Sequence, residues 1–287
     1  MLVATTLLLI IISVLFLFVF KSDLWSNEYP LSLVIRKPDN SILVSVFDPE
    51  LSEITNIEIP GNTQVEVSND LGVWKLATVW QLGEKENMGG SLLANTVRKN
   101  FKLPILAWSD SPATGFSDAR LDSLFKATFS SYRTNLSFRD KLSIAFFSLG
   151  VKNANRVAID LSETSFLEEK DLIDGSEGFV VTRYFPQILT SIFSDKEISK
   201  GGYRASVKYR GKLAVAEEVA ELLENLGTKT VSIKESEIAN DNCTIYGSNK
   251  VVVRRIAKLL TCENAVRSDG DPYDLEINLG KSYLLEY

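Results

Sequence analysis

Leu31-Ser32-Leu33-Val34-Ile35, Ile42-Leu43-Val44-Ser45-Val46-Phe47 and Ile54-Thr55-Asn56-Ile57-Glu58-Ile59 follow one another closely. All three are aliphatic runs of strand length. Lys37-Pro38-Asp39-Asn40 separates the first two and Asp48-Pro49-Glu50 the next two, both with good turn chemistry. A sheet therefore opens the globular part of the chain, and Val65-Glu66-Val67 reads as a short extra strand.

Upstream lies Leu2 to Phe20, LVATTLLLIIISVLFLFVF, without a charged residue. As a helix it would reach ~28 Å, about the thickness of a bilayer's hydrocarbon core. No small-residue cleavage site follows it, so residues 1–22 read as an uncleaved, single-pass transmembrane helix rather than a signal peptide. Flanking charge votes weakly on orientation, since Lys21 lies just after the run. Ser22 to Pro30 reads as a short polar and aromatic tether.

Downstream the spacing turns helical. Ser91 to Phe101 sets Leu92, Leu93, Val97 and Phe101 on one face, and Pro104 stops it. Asp118 to Ser131 is expected to turn Leu121, Leu124, Phe125, Thr128 and Phe129 inward. Ser137-x-x-Asp140 resembles a capping box opening a helix with Leu142, Ala145, Phe146 and Leu149 inward and Gly150 at its end. Arg156 to Leu161 is another strand. Ser194 to Gly202, SDKEISKGG, reads as a linker.

Beyond it strands and helices alternate. The strands are Tyr203–Lys208, Thr230–Ile233, Cys243–Tyr246 and Leu275–Leu279; the helices are Lys212–Leu226, stopped by Gly227, and Lys250–Leu260. This is the pattern of a small α/β domain.

Composition narrows the chemistry. Among 287 residues there are 31 Lys+Arg against 37 Asp+Glu, a net charge of −6, with no basic cluster, so no nucleic-acid partner is expected. There is no histidine at all, which removes Ser-His-Asp and Cys-His nucleophiles and every His-containing metal site. The sequence has no G-x-S-x-G, P-loop or G-x-G-x-x-G, and the pair Gly89-Gly90 alone carries little weight as a phosphate loop.

The two cysteines, Cys243 and Cys262, both fall in the last domain. A strand followed by an antiparallel return helix brings them to one edge, where a disulfide can form. Closing such a loop contributes ~3 kcal/mol in the chain-entropy account and is at home outside the reducing cytosol. The alternative is two small buried hydrophobes.

The stretch from Leu213-Ala214-Val215-Ala216-Glu217-Glu218-Val219-Ala220-Glu221-Leu222-Leu223 to Leu226-Gly227, with the ending Asp274-Leu275-Glu276-Ile277-Asn278-Leu279-Gly280-Lys281, resembles the LytR C-terminal domain. The middle of the chain resembles the catalytic domain of LytR-CpsA-Psr (LCP) envelope proteins. Asp39-Asn40-Ser41-Ile42-Leu43-Val44-Ser45-Val46 is similar to the family's D-T-I strand, followed by Asp48-Pro49. Ile59-Pro60-Gly61-Asn62-Thr63 sits at its I-P-R-D-T. Lys75-Leu76 and Gly89-Gly90 to Val97 are similar to its K-I-N and G-G segments, Leu103-Pro104-Ile105 to its G-I-x-I, and Asp174-Gly175-Ser176-Glu177 to the D-G-E before its late arginine pair.

The resemblance implies a three-layer α/β domain with a mixed sheet over 29–196 and a small α/β domain over 203–287, both outside the membrane. It implies a partner among envelope glycans, lipid-linked polymers or envelope proteins. Such proteins hold a polyprenyl-pyrophosphate glycopolymer through Mg²⁺, carboxylates and arginines and transfer it to the wall. Here the arginine position is Gly61, the aspartate position Asn62, and Phe185 takes the second place of the arginine pair.

Losing one such charge-stabilising group can cost ~10²–10³ in rate. The expectation is thus a non-catalytic, extracytoplasmic binding or scaffolding protein with no catalytic or metal residue and no cofactor. Asp39, Asn62 and Arg183 are its candidate ligand-binding remnants. The alternative is a divergent Mg²⁺-dependent glycopolymer phosphotransferase. Trp74, Trp80 and Trp108 lie in the segment that lines the family's lipid cavity, although aromatic residues there also suit an ordinary core.

Overall fold

The computed structural model describes residues 24–25, 27–182, 184–237, 241–266 and 272–286. The expected transmembrane helix and Arg183 lie outside these residues. Among the described residues no helix is long and apolar enough to cross a membrane.

Strands β1 (Leu31–Arg36), β2 (Ile42–Asp48) and β3 (Glu53–Ile59) form an antiparallel meander. Asn40 and Ser52 take left-handed backbone in the two turns (φ 67° and 50°), and Asp48 accepts the amides of Glu50 and Leu51. β4 (Thr63–Glu66) and β5 (Val73–Lys75) follow, then β6 (Ala107–Ser109) and β7 (Arg156–Asp160). The last two add in parallel at the edges, giving a mixed sheet of order β6-β1-β2-β3-β7.

Both faces of this sheet are covered at its centre, which is why β1 and β2 are apolar at nearly every position. Val34, Ile42, Val44, Val46, Ile57 and Ile59 pack under α1 (Leu76–Lys85) and α2 (Ser91–Phe101). Leu33, Ile35, Leu43, Phe47 and Ile54 face Phe116, Leu124 of α3 (Leu121–Phe129) and Ile144 of α4 (Phe138–Gly150). The capping box expected at α4 is present between Ser137 and Asp140. Trp25 is buried in this second layer, 1% exposed, so residues 24 and 25 belong to the core rather than to a loose tether.

The apolar stripes of α3 and α4 do not all point inward. Leu121, Phe125 and Phe129 of α3 are 72, 66 and 56% exposed, and Phe146 and Leu149 of α4 are 72 and 56% exposed. The reason is local. Gly115 lies so close to α3 that a Cβ there would meet Ser123 O at 2.1 Å, and only the smaller side of the helix, with Ala127 and Thr128, fits beneath it.

A second sheet pairs β5 and β4 with β9 (Glu177–Val181) and β8 (Leu167–Asp171). The stretch expected as a linker instead follows α5 (Gln187–Phe193) and contains α6 (Lys196–Gly201), capped by Asp195. Leu189 and Phe193 enter the first core and Ile198 the next one, so the segment is stitched into both.

The C-terminal sheet has the order β11-β10-β14-β12-β13. It comprises β10 (Arg204–Tyr209), β11 (Lys229–Glu235), β12 (Cys243–Gly247), β13 (Glu263–Val266) and β14 (Leu275–Leu279). All its pairs are parallel except β12 with β14. Helices α7 (Leu213–Leu226), α8 (Lys250–Leu260) and α9 (Lys281–Glu286) accompany it; β13 and α9 were not legible beforehand. The Cys243–Cys262 disulfide is formed, with Cα atoms 4.7 Å apart, joining the start of β12 to the residues after α8.

Candidate binding site

The motif residues gather at one corner of the first unit. Asp39 sits in the β1–β2 turn, where its Oδ1 accepts from the Ser41 amide at 3.0 Å and the Ser41 hydroxyl at 2.8 Å. Lys37 Nζ lies 3.2 Å from Asp39 and 2.6 Å from Glu58. Burial acts to raise the Asp39 pKa, yet the Ser41 bonds and Lys37 outweigh it and hold the carboxyl below its ordinary value. Oδ1 of Asp39 is thus engaged by its own turn and Oδ2 faces Lys37, while the side chain stays 60% exposed.

Gly61 abuts that turn. A Cβ at Gly61 would stand 2.1 Å from Asn40 O and 3.1 Å from Ala77 Cβ, and its own carbonyl accepts the Ala77 amide at the start of α1. No side chain fits there, least of all an arginine's. Asn62 reaches Glu177 O at 3.4 Å, and its carbonyl accepts the Phe179 amide, so it fastens β4 to β9.

On the same side Lys75 pairs with Asp174 at 2.7 Å. That contact, helped by Ser176, holds the Asp174 carboxyl well below the usual carboxylate range. The structure therefore brings Asp39 and Asn62 to one corner, with each already partnered by the fold.

Mg²⁺ takes near-octahedral oxygen ligands and needs carboxylates free to face it. Asp39 and Asp174 are each closed by a lysine, and among the described residues no group of three or more His, Cys, Asp or Glu could hold a metal ion. The corner does not fit that ion.

The tryptophans are mostly packing groups. Trp80 is 3% exposed and meets Trp108 edge-on at 5.8 Å, with the Arg36 guanidinium 5.6 Å above it. A Cβ at Gly90 would strike both rings, so that glycine makes room for indoles rather than for a phosphate. Trp74 is 46% exposed and lines a shallow cleft beside Lys75.

The larger opening is elsewhere. β4 and β9 run parallel, and four or five residues on from the corner they end in a cleft of about 800 Å³ between the two units. Glu66 and Lys99 form one wall, paired at 2.8 Å. Lys102, held in left-handed backbone at the end of α2, points to Glu218 and Glu221 of α7, each 3.7 Å away. Asn225 of the same helix donates to Lys102 O at 2.9 Å. Phe185 closes one side, its ring 5.5 Å from that of Phe166.

The electrostatics of this cleft are unsettled where those of the corner are closed. Four glutamates (66, 218, 221 and 224) face two lysines. Burial pushes the Glu218 carboxyl up in pKa against the attraction of Lys102, and its buried Oε2 has no hydrogen-bond partner. The cleft was not read from the sequence. Its one signal there is the spacing of Glu218, Glu221 and Asn225 on a single face of α7.

A mixed-sheet unit followed by a smaller disulfide-closed α/β unit is what the residues define. No family model matches the chain, and no curated protein does. Among solved structures the chain is similar to Bacillus subtilis TagT, at 12% identity over 56% of this chain and 88% of that one, with a TM-score of 0.42. It is similar to the LytR-CPS2A-psr family protein TagT with bound octaprenyl pyrophosphate lipid, at 14% over 57% and 89%, TM-score 0.40. It is also similar to a protein of Enterococcus faecalis described as a transcriptional regulator, at 14% over 74% and 92%, TM-score 0.40. The family printed for one of these structures is the one that the sequence resembles.

Proposed function

We propose that this chain is a membrane-anchored, extracytoplasmic protein of the cell envelope that binds or scaffolds an envelope polymer and does not transfer one. The observation that carries this is Gly61. Where a transferase of the resembled family places an arginine, the backbone of Asn40 occupies the space a Cβ would need. The neighbouring cations, Lys37 and Lys75, are spent on Glu58, Asp39 and Asp174. Among the described residues a pyrophosphate at this corner would meet no convergent positive charge, and stabilising phosphoryl transfer depends on such charge.

The ligand's place in this reading is the cleft between the units. Carboxylates and amides there suit a hydroxyl-rich chain, and the Phe185 ring suits the apolar face of a sugar. The excess of glutamates over lysines favours neutral or amine-bearing sugars over polyanions. Anchorage through residues 2–20 and the oxidised Cys243–Cys262 pair support a position outside the cytosol.

The test is binding of two ligands to the full-length protein in detergent: a purified neutral cell-wall polysaccharide, and a polyprenyl-pyrophosphate analogue with and without Mg²⁺. The expected result is metal-independent polysaccharide binding, weakened by Phe185→Ala and Glu221→Ala. Mg²⁺-dependent binding of the pyrophosphate that Asp39→Ala abolishes would overturn the reading in favour of the transferase.

A further inference from the structure

Two exposed apolar stripes meet at the point where the chain enters the fold. On α3, Leu121, Phe125 and Phe129 recur at intervals of four and are all more than half exposed. On α4, Phe138, Leu142, Phe146 and Leu149 make a second stripe; the first two are half-buried and the last two exposed. The stripes are joined, since the Phe125 and Phe129 rings are 4.7 Å apart and the Phe129 and Phe138 rings 6.0 Å apart. Contiguous apolar surface of this kind on a soluble face marks an interaction site.

Where the chain enters decides the occupant. The amides of Leu24 and Trp25 donate to Asp140 Oδ1 at 3.4 and 3.1 Å, and Asp140 lies in the first turn of α4, two residues from Phe138. The charge-free run ends at Phe20. Four residue steps can span at most ~14 Å, so a bilayer holding residues 2–20 comes within reach of the junction of the stripes.

Charge agrees with this. Between residues 118 and 155 there are six basic residues and three acidic ones, in a chain of net charge −6. Arg120 is paired with Asp122 and Arg133 with Glu84, and Lys126, Arg139 and Lys152 are exposed beside them. Basic groups rimming an apolar helical face are what an anionic lipid surface attracts.

The geometry points to the α3–α4 face as a second membrane contact, which lies on an anionic phospholipid surface and holds the body down beside its anchor. This rests on reading residues 2–20 as that anchor. Such a contact fixes the body's orientation, with the C-terminal unit and the cleft carried on a body that cannot swing freely.

The test uses full-length protein in vesicles of phosphatidylcholine and phosphatidylglycerol, with lipids brominated in the upper acyl chain. Phe125→Trp and Phe146→Trp each add one indole to the native four. The expected result is that the added emission is blue-shifted and quenched by the brominated lipid, and less so without phosphatidylglycerol. Ile173→Trp, at a position 83% exposed on the far side of the first unit, should add emission that the bromine leaves alone.

Added emission at 125 and 146 that bromine does not touch overturns the proposal. A blue shift without quenching would mean that protein covers the face. If that shift grows with protein-to-lipid ratio the cover is a second copy, and if not it is residues 2–20 themselves. Alkaline carbonate washing separates the two claims. Protein that resists washing but shows no quenching keeps the anchor and loses the face; protein that is washed off yet quenched at neutral pH does the reverse.

Discussion

The two ends of the parallel strands β4 and β9 differ in how they treat charge. At the end nearer the β1–β2 turn the lysines and motif carboxylates are paired: Lys37 with Glu58 and Asp39, Lys75 with Asp174, Asp39 also with Ser41. At the other end Glu218 keeps a buried oxygen without a hydrogen bond, and Lys102 stands 3.7 Å from two glutamates rather than tightly on one. The first end carries the letters that resemble the family's, and there Asp39 and Asn62 are partnered by the fold. The second carries no motif and retains unsatisfied polar groups in an open cleft, which is where a ligand gains most.

One buried ion pair joins the start of α6 to α8 and stands against Tyr29 of the first unit, and removing it should give the largest effect. Arg255 of α8 grips both oxygens of Asp195 at 3.1 and 2.9 Å, with side chains 12 and 10% exposed, and its guanidinium stacks 4.7 Å over Tyr29 of the first unit. Arg255→Ala strands a buried carboxylate and should cost about 3–5 kcal/mol in urea unfolding, whereas Asp195→Asn with Arg255→Met, which keeps an acceptor for the Glu197 and Ile198 amides, should cost less. Polysaccharide binding should weaken in the single variant even at temperatures where it stays folded. If binding survives there, the cleft does not depend on the clamp.

Gly61→Ala is expected to rank next. Its Cβ must push the Asn40 carbonyl aside, which at the usual cost of overpacking is about 1–3 kcal/mol. Gly61→Arg should lose at least as much and gain no Mg²⁺-dependent pyrophosphate binding. A well-folded Gly61→Arg protein that acquires such binding would break the comparison, because it would show the corner to be a site lacking one residue.

At the cleft the sign is opposite. Glu218 has its folded pKa raised by burial above the ordinary value of a glutamate, so the folded state takes up its proton at a higher pH than the unfolded chain. Stability must then fall as pH rises through the window between the two values, and the loss stays in force above it. Glu218→Gln should therefore raise the urea midpoint at pH 7 and change little at pH 4. A midpoint that drops at pH 7 would mean that the charge is paired after all.

The corner was legible and the cleft was not, for physical reasons. Turn residues, Pro-bounded strands and the Ser137/Asp140 box act over a few positions, so the meander and α4 could be read directly. So could Gly227, whose left-handed backbone ends α7. Helix α1 was missed because Lys75 at its cap makes no side-chain bond to the helix's first amides and leaves no start signal. The stripes of α3 and α4 were assigned inward because period alone does not say which of two faces meets the sheet. That was decided by Gly115 drawing α3 in on its small side. The cleft joins Glu66, Lys102, Phe185 and Glu218, which only tertiary packing brings together.

The smallest effect is the sharpest test of the corner. Asp39→Asn keeps an Oδ1 that can accept from the Ser41 amide and hydroxyl, and gives up only the 3.2 Å contact with Lys37, which Glu58 still holds. At neutral pH the change should be within about 0.5 kcal/mol, the range of surface substitutions. The pH profile adds a sign. Because the folded pKa of Asp39 lies below the ordinary value of an aspartate, its contribution is present above that value and disappears as pH falls through the folded one. Wild type and variant should converge in acid and differ slightly at pH 7, with polysaccharide binding equal throughout. A catalytic or metal-holding aspartate tolerates no such exchange, so a large loss of binding with unchanged stability would return Asp39 from turn to site.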